Sequence, residues 1–211
     1  MDAKDHHAVF FTALTTEHFV MQTAIGATLG ETQSRASMFL GILTGSLIAM
    51  GFATQSMDIL VPYIATVFPA VFVMGAVTVL RLTDISMESS VAHIAIARAR
   101  HQYRRLGPEA SAFFDARLGR WPENIGNPAM RLGNFVAYWT SAAAMVAAID
   151  ALVGAATVAL LLKLAAGAGL AVSLIAGAIF AAIVLVAFYF YQRKRIAELS
   201  WLAKETHAGP V

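Results

Sequence analysis

One acidic residue stands alone in an apolar stretch: Asp150 lies within AMVAAIDALVG, residues 144–154. A charged side chain at the centre of a membrane helix costs about 2.5–3.5 kcal/mol on insertion scales, so an acid there faces protein or water rather than lipid. Two interpretations stay open. Asp150 borders a cation or proton path through a pore, or it is a neutral acid hydrogen-bonded to a hydroxyl group of another helix. The available hydroxyl partners are Thr44, Ser46, Thr66 and Ser173.

A basic cluster, ARARHQYRR, covers residues 97–105. Basic residues beside a membrane attract anionic lipid head groups by about 1 kcal/mol per charge. The cluster therefore predicts a site for an anionic lipid or a phosphate-bearing ligand, and its alternative is a solvated positive face. Nothing in its pattern indicates nucleic-acid binding. The candidate ligand residues are Arg98, Arg100, Arg104 and Arg105.

Catalytic patterns are missing from the sequence. The chain has no cysteine, which excludes disulfides and thiol chemistry. It contains no HExxH, no P-loop, no GxGxxG and no GxSxG elbow. We therefore expect no enzymatic activity, no catalytic residue, no cofactor and no metal site. The six histidines are scattered without ligand spacing, at His6, His7, His18, His93, His101 and His207.

The elements that must position these residues are apolar helices. The chain of 211 residues is 58% hydrophobic and only 13% charged, which is unusual for a soluble domain. About 20 apolar residues in a helix cross a bilayer. The alternative, a soluble helical protein with a very apolar core, is disfavoured by this composition. Four runs predict transmembrane helices, over residues 37–53, 59–80, 135–162 and 167–191.

The distribution of Lys and Arg orients the predicted spans. Eight arginines lie between spans two and three, and four basic residues follow span four. The turn between spans one and two has no basic residue, and the turn between spans three and four has only Lys163. The positive-inside rule then places the central segment and both termini in the cytoplasm. We expect a multi-pass protein of the inner or plasma membrane.

The chain divides into six predicted segments of an all-α membrane protein. Residues 1–14 form a flexible N-terminus, and 15–36 a cytoplasmic helix that begins at Thr15 and continues into span one. Residues 37–80 hold spans one and two, and 81–134 a basic helix and loop, the helix ending at Gly107-Pro108. Residues 135–191 hold spans three and four, and 192–211 a cytoplasmic tail. The extensions of spans one and two are expected to form an antiparallel cytoplasmic pair.

Small residues recur at every fourth position in two of the spans. Lipid provides no hydrophobic drive for helices to associate, so close backbone approach along small residues has to supply the contact. The pattern predicts tight helix packing, either within one chain or between copies in a homo-oligomer. The candidate packing residues are Gly41, Gly45 and Ala49, flanked by Ser37 and Ala53, in span one, and Gly169, Ser173 and Gly177, followed by Ala181, in span four.

Two stretches carry a resemblance: EHFVMQTAIGATLGETQSRASMFLGILTGSLIAMGF, residues 17–52, and VLRLTDISMESS, residues 79–90. They resemble a group of small actinobacterial integral membrane proteins, which in general plan are similar to SLATT-type and Pycsar-type membrane effectors. The resemblance implies a bacterial protein with a cytoplasmic helical part joined to spans that permeabilise a membrane. This chain departs from it with four spans where many such effectors have two, and with no nucleotide-sensing motif. No functional residue is carried over.

These observations favour a homo-oligomeric membrane protein that acts as an ion channel or pore-forming effector. One alternative is a non-catalytic scaffold or regulatory protein that binds a partner through its cytoplasmic helices. Another is a small-solute or proton-coupled transporter, which would require Asp150 to titrate.

Overall fold

The computed structural model describes residues 3–114, 136 and 139–205, with side chains described from residue 7 to residue 198 of these. Every described element is helical, in agreement with the predicted all-α class. The helices are α1 (Ala3–Ala53), α2 (Met57–Arg104), α3 (Pro108–Phe113), α4 (Ala142–Leu164) and α5 (Leu170–Glu205).

Helix α1 begins at Ala3, so the predicted helix start at Thr15 is wrong, while the flexibility expected for residues 1–14 stays a prediction. The hydroxyl of Thr15 does not cap a helix but donates to the carbonyl of Phe11 at 2.8 Å. Thr12 and Thr16 bond back in the same way, each at 2.9 Å. Threonines that satisfy carbonyls four residues earlier continue a helix, and no glycine or proline interrupts residues 3–16.

Helix α4 begins at Ala142, seven residues after the predicted start of span three at residue 135. Ser141 is its N-cap, and the Ser141 hydroxyl accepts a hydrogen bond from the Ala144 amide at 3.1 Å. Serine in this position satisfies an amide that the first helical turn leaves unpaired. Residues 135, 137 and 138 lie outside the described part of the chain, as do 115–134 of the predicted loop and 206–211 of the predicted tail.

Residues 32–84 and 138–197 form one compact unit, here called the apolar unit. In it the described parts of α1, α2, α4 and α5 pack as a bundle whose successive helices run antiparallel. The Tyr63 hydroxyl of α2 donates to the Ser46 carbonyl of α1 at 2.8 Å. Gly75 of α2 lies against Asp150 of α4. Helices α2 and α5 are parallel to each other.

Residues 1–31, 85–137 and 198–211 form a second compact unit, here called the polar unit. Tyr103 is central to its described part. The Tyr103 ring stacks on Phe11 of α1 with centroids 6.3 Å apart and lies 5.5 Å from the ring of Phe114, just after α3. Its hydroxyl donates to Thr15 at 3.4 Å. Aromatic contacts therefore join α1, α2 and the residue after α3 within this unit.

Among the described residues four helices are long and apolar enough to cross a membrane, which agrees with the four predicted spans. Mean hydropathy over the most apolar window of each is 1.8, 2.1, 2.2 and 2.8 in chain order. The two prolines of span two, Pro62 and Pro69, lie inside α2 without ending it. Interior prolines are tolerated in membrane helices because neighbouring groups satisfy the backbone that they leave unpaired.

Candidate functional site

Asp150 lies in the interior of the apolar unit with 2% of its surface exposed. A Cβ atom built on Gly75 would overlap the Asp150 carboxyl group and would lie 2.8 Å from Cε2 of Phe39. The carboxyl group therefore fills a notch that Gly75 leaves in α2, beside a ring of α1. Its Oδ1 atom is buried and has no hydrogen-bond partner among the described residues.

Three of the four hydroxyls that the sequence offers to Asp150 donate instead to a carbonyl four residues earlier in the chain. Ser46 donates to the Ile42 carbonyl at 2.8 Å. Thr66 donates to the Pro62 carbonyl at 2.8 Å. Ser173, which is almost fully buried, donates to the Gly169 carbonyl at 3.2 Å. The fourth, Thr44, is exposed.

The small-residue pattern of α1 lies on a different face from the one that packs. The inward positions of α1 alternate steps of three and four residues, which is the spacing of a helix seam. At about 100° per residue, Ser37, Gly41, Gly45 and Ala49 fall on roughly the opposite side of the helix, whereas Ala53 lies among the inward positions. The inward positions are Ala36, Phe39, Leu43, Ser46, Met50 and Ala53.

We call the outward face of α1 formed by Ser37, Gly41, Gly45 and Ala49, together with Thr44, the open face. All five residues are exposed. A Cβ atom built on Gly41 or Gly45 would meet no atom of the described residues within 4 Å. No described residue of another helix thus faces Gly41 or Gly45 within this distance, whereas Ala53 at the end of the pattern is buried.

In α5 the same four-residue pattern is divided between two environments. Gly177 faces α4 so closely that a Cβ atom there would lie 2.6 Å from the Ala155 carbonyl oxygen. Ser173, one turn earlier, is buried. Gly169 precedes the helix, and its built Cβ atom meets nothing within 4 Å among the described residues. Gly177 and Ser173 thus pack inside the bundle, whereas a side chain at Gly169 would meet no described residue.

Gly75 and Gly154 belong to no regular pattern of small residues, yet they lie as close to neighbouring helices as Gly177 does. Gly75 receives Asp150, and Gly154 faces the rings of Phe72 and Phe180, with a built Cβ atom 2.9 Å from Cε2 of Phe72. Those two rings also contact each other, with centroids 5.5 Å apart. No local spacing in the sequence distinguishes Gly75 as the position that receives Asp150.

An ion pair and a hydrogen bond join the polar ends of helices in the apolar unit. Arg195 of α5 contacts Asp84 of α2 at 2.7 Å, and their side chains are 36% and 37% exposed. The buried Gln192 of α5 donates to the Ser141 hydroxyl, the N-cap of α4, at 3.1 Å. These contacts fix the register of α5 against α2 and α4.

The basic cluster lies on the last turns of α2, in the polar unit. Arg98 and Arg105 are exposed, whereas Arg100 and Arg104 are half-buried. Arg104 contacts His101 at 2.9 Å. Arg100 borders a groove of about 410 Å³ between α1, α2 and α3. Arg98, Arg104 and Arg105 are not among the residues that line this groove. The groove is also lined by Thr15, His18, Phe19, Gln22, Ile96, Tyr103, Phe113 and Phe114.

Among the described residues no group of three or more His, Cys, Asp or Glu side chains is placed to hold a metal ion. Comparisons of the chain with protein-family models, with curated proteins and with solved structures find no match.

Proposed function

We propose that the chain is a homo-oligomeric membrane channel or pore-forming effector whose copies meet through the open face of α1. The observation that carries the proposal is the exposure of this face, where Gly41 and Gly45 contact no described residue. A glycine directed at lipid adds no packing, whereas a glycine directed at another helix allows the backbones to approach closely.

The open face also has the chemistry of a channel wall. Ser37 and Thr44 carry hydroxyl groups, and both are exposed beside Gly41 and Gly45. Helices arranged around a common axis through this face would direct these hydroxyls and the glycine backbone toward a shared path. Selective pores are lined by polar side chains and by backbone groups.

In this proposal the polar unit and both termini lie in the cytoplasm. The positive-inside distribution supports it, since eight arginines lie between predicted spans two and three, whereas the turn at residues 54–56 has no basic residue. The basic cluster would then meet anionic lipid head groups or a phosphate-bearing ligand. A reporter inserted at Gly126 should give a cytoplasmic signal, and an extracellular signal would refute this orientation.

A second function is favoured by the groove of the polar unit. Phe113 is 77% exposed and Phe19 is 63% exposed, and both line it beside Arg100. Exposed aromatic side chains with a neighbouring arginine are typical of protein interfaces. A non-catalytic scaffold would bind its partner there, without ion flux.

Oligomer mass in mild detergent tests the first proposal, and a monomer would count against it. Because the chain has no cysteine, one introduced cysteine is the sole thiol in each copy. Gly45→Cys should form an oxidised dimer in the membrane. Ile179→Cys, at a 55% exposed position of α5, is the matched control and should not.

Ion flux through liposomes that contain the purified chain then separates a channel from a scaffold. Flux that a hydrophilic thiol reagent blocks in Thr44→Cys, and not in Ile179→Cys, would support a path along the open face. An oligomer that conducts no ions under any applied potential would favour the scaffold.

A further inference from the structure

The contact between Asp150 and Gly75 joins two helices through a group that can bind and release a proton. The carboxyl group is 2% exposed and lies against the α-carbon of Gly75 in α2, with the Phe39 ring of α1 beside it. Oδ1 has no hydrogen-bond partner among the described residues. The surroundings are thus apolar on the side of both neighbouring helices.

No described charge faces this carboxyl group from the helices packed around it. The apolar stretches 36–53 of α1, 59–80 of α2 and 170–188 of α5 contain no Asp, Glu, Lys, Arg or His. Their only tyrosine, Tyr63, donates its hydroxyl to the Ser46 carbonyl. On α4 itself the other charged residue is Lys163, more than three turns away.

We propose that Asp150 is a proton-binding site that locks α2 against α4 only while the proton is bound. An ionised carboxylate in an apolar site is very costly without a partner, and the protonated acid avoids most of that cost. Release of the proton to water therefore requires the carboxyl group to leave the Gly75 notch. Because the carboxyl group lies against the backbone of Gly75, we expect its departure to be accompanied by a movement of α2 away from α4.

The direction of the pH dependence follows from this geometry. The packed arrangement holds the proton, so low pH favours it, and rising pH favours the arrangement in which Asp150 reaches water. The lock belongs to one chain, so it holds whether or not the chain assembles into a channel. In a channel it would act as a gate that responds to pH.

Two spin labels report the distance between the helices. The side chains of Val73 on α2 and Leu152 on α4 are 58% and 67% exposed, so labels there should leave the packed faces intact. The full chain carrying Val73→Cys and Leu152→Cys is labelled, placed in lipid vesicles and measured by pulsed electron spin resonance from acidic to alkaline pH. We expect the distance to lengthen as pH rises, and to stay constant when Asp150→Asn is added.

Infrared spectroscopy of the same vesicles gives a readout that needs no labels. The other Asp and Glu side chains give the same carbonyl stretch at acidic pH, so the Asp150 band is followed above about pH 6, where exposed carboxyl groups are ionised. It should weaken over the pH range in which the distance changes, and be absent from Asp150→Asn over that range. A distance that does not respond to pH in the labelled chain would overturn the proposal. So would an equal response in the Asn variant, or an unchanged carboxyl band after the substitution.

If Asp150→Asn fails to fold, the pH series on the labelled chain with Asp150 intact still tests the proposal. Its infrared band and its distance must change over the same pH range. If they change over separate ranges, the proton on this carboxyl group does not hold α2 against α4.

Discussion

The open face of α1 and the glycine contacts around α4 show two opposite uses of small residues in one bundle. Gly41 and Gly45 recur regularly, yet a side chain added at either meets no described atom. Gly75 and Gly154 belong to no repeat, yet each lies against side chains of neighbouring helices. A repeat of small residues thus marks a helix face that permits close approach, while contact itself depends on which helix lies opposite.

The helices as wholes also differ in the fraction of their residues that is buried. In α4, 39% of the most apolar window is buried, against 17% in α1 and 11% in α5. Helix α4 therefore occupies the interior of the apolar unit, and it carries the acid. An ionisable group in a membrane helix is tolerated where protein surrounds it, so Asp150 belongs on this helix rather than on α1 or α5.

The largest effect on the fold should come from Gly177→Ala. The added methyl group would meet the Ala155 carbonyl oxygen at 2.6 Å, and backbone cannot move aside cheaply. We expect a loss of about 1–3 kcal/mol of unfolding free energy, the usual cost of overpacking. Thermal unfolding in detergent measures it, with Gly41→Ala as the control. Equal unfolding free energies of Gly177→Ala and Gly41→Ala would contradict the difference between the packed glycines and the open face.

Gly75→Ala should destabilise the bundle through a side chain rather than through backbone. The new methyl group would displace the Asp150 carboxyl group. Asp150→Ala alone leaves a cavity, and the double variant lets one methyl group fill part of it. We expect the double variant to lose less stability than the sum of the single variants, by about 0.5–3 kcal/mol of coupling. Additive losses would show that the two residues do not contact each other.

Gly154→Ala should cost less than Gly177→Ala, on the order of 1 kcal/mol. The methyl group would overlap Cε1 of Phe180 and lie 2.9 Å from Cε2 of Phe72, but these ring edges can move aside more readily than the backbone that Gly177 faces. Thermal unfolding of Gly154→Ala in a Phe180→Leu background sharpens the test. The substitution should cost less there, because the smaller side chain leaves room, and an unchanged cost would point to strain elsewhere.

The smallest effect on the fold should come from Gly45→Ala. Alanine favours a helix over glycine by about 0.5–1 kcal/mol, so the unfolding free energy of the monomeric fraction should stay equal or rise slightly. Gly45→Leu should likewise leave the monomer folded but lower the oligomer mass in mild detergent. A monomer destabilised as strongly as in Gly177→Ala would show that the face is not open.

Much of the secondary structure could be predicted from the sequence, because long apolar runs without charge specify membrane-length helices by composition alone. The four runs correspond to α1, α2, α4 and α5, and the continuation of α2 to Arg104 before Gly107-Pro108 was also predicted. The helix over residues 3–14 was not predicted, since threonine is common both as a cap and as a residue that bonds back to its own helix.

The sequence by itself determined that Asp150 had to be kept from lipid, since the energetic cost of a charge in hydrocarbon depends on residue type. Its environment was decided by tertiary structure, because the notch at Gly75 is 75 residues away along the chain and no local spacing links the two positions. The same reason applies to the small-residue pattern of α1. Its regular spacing is a property of one helix, whereas its exposure depends on the helices that α1 meets, and these contact the seam from Ala36 to Ala53 on the other side.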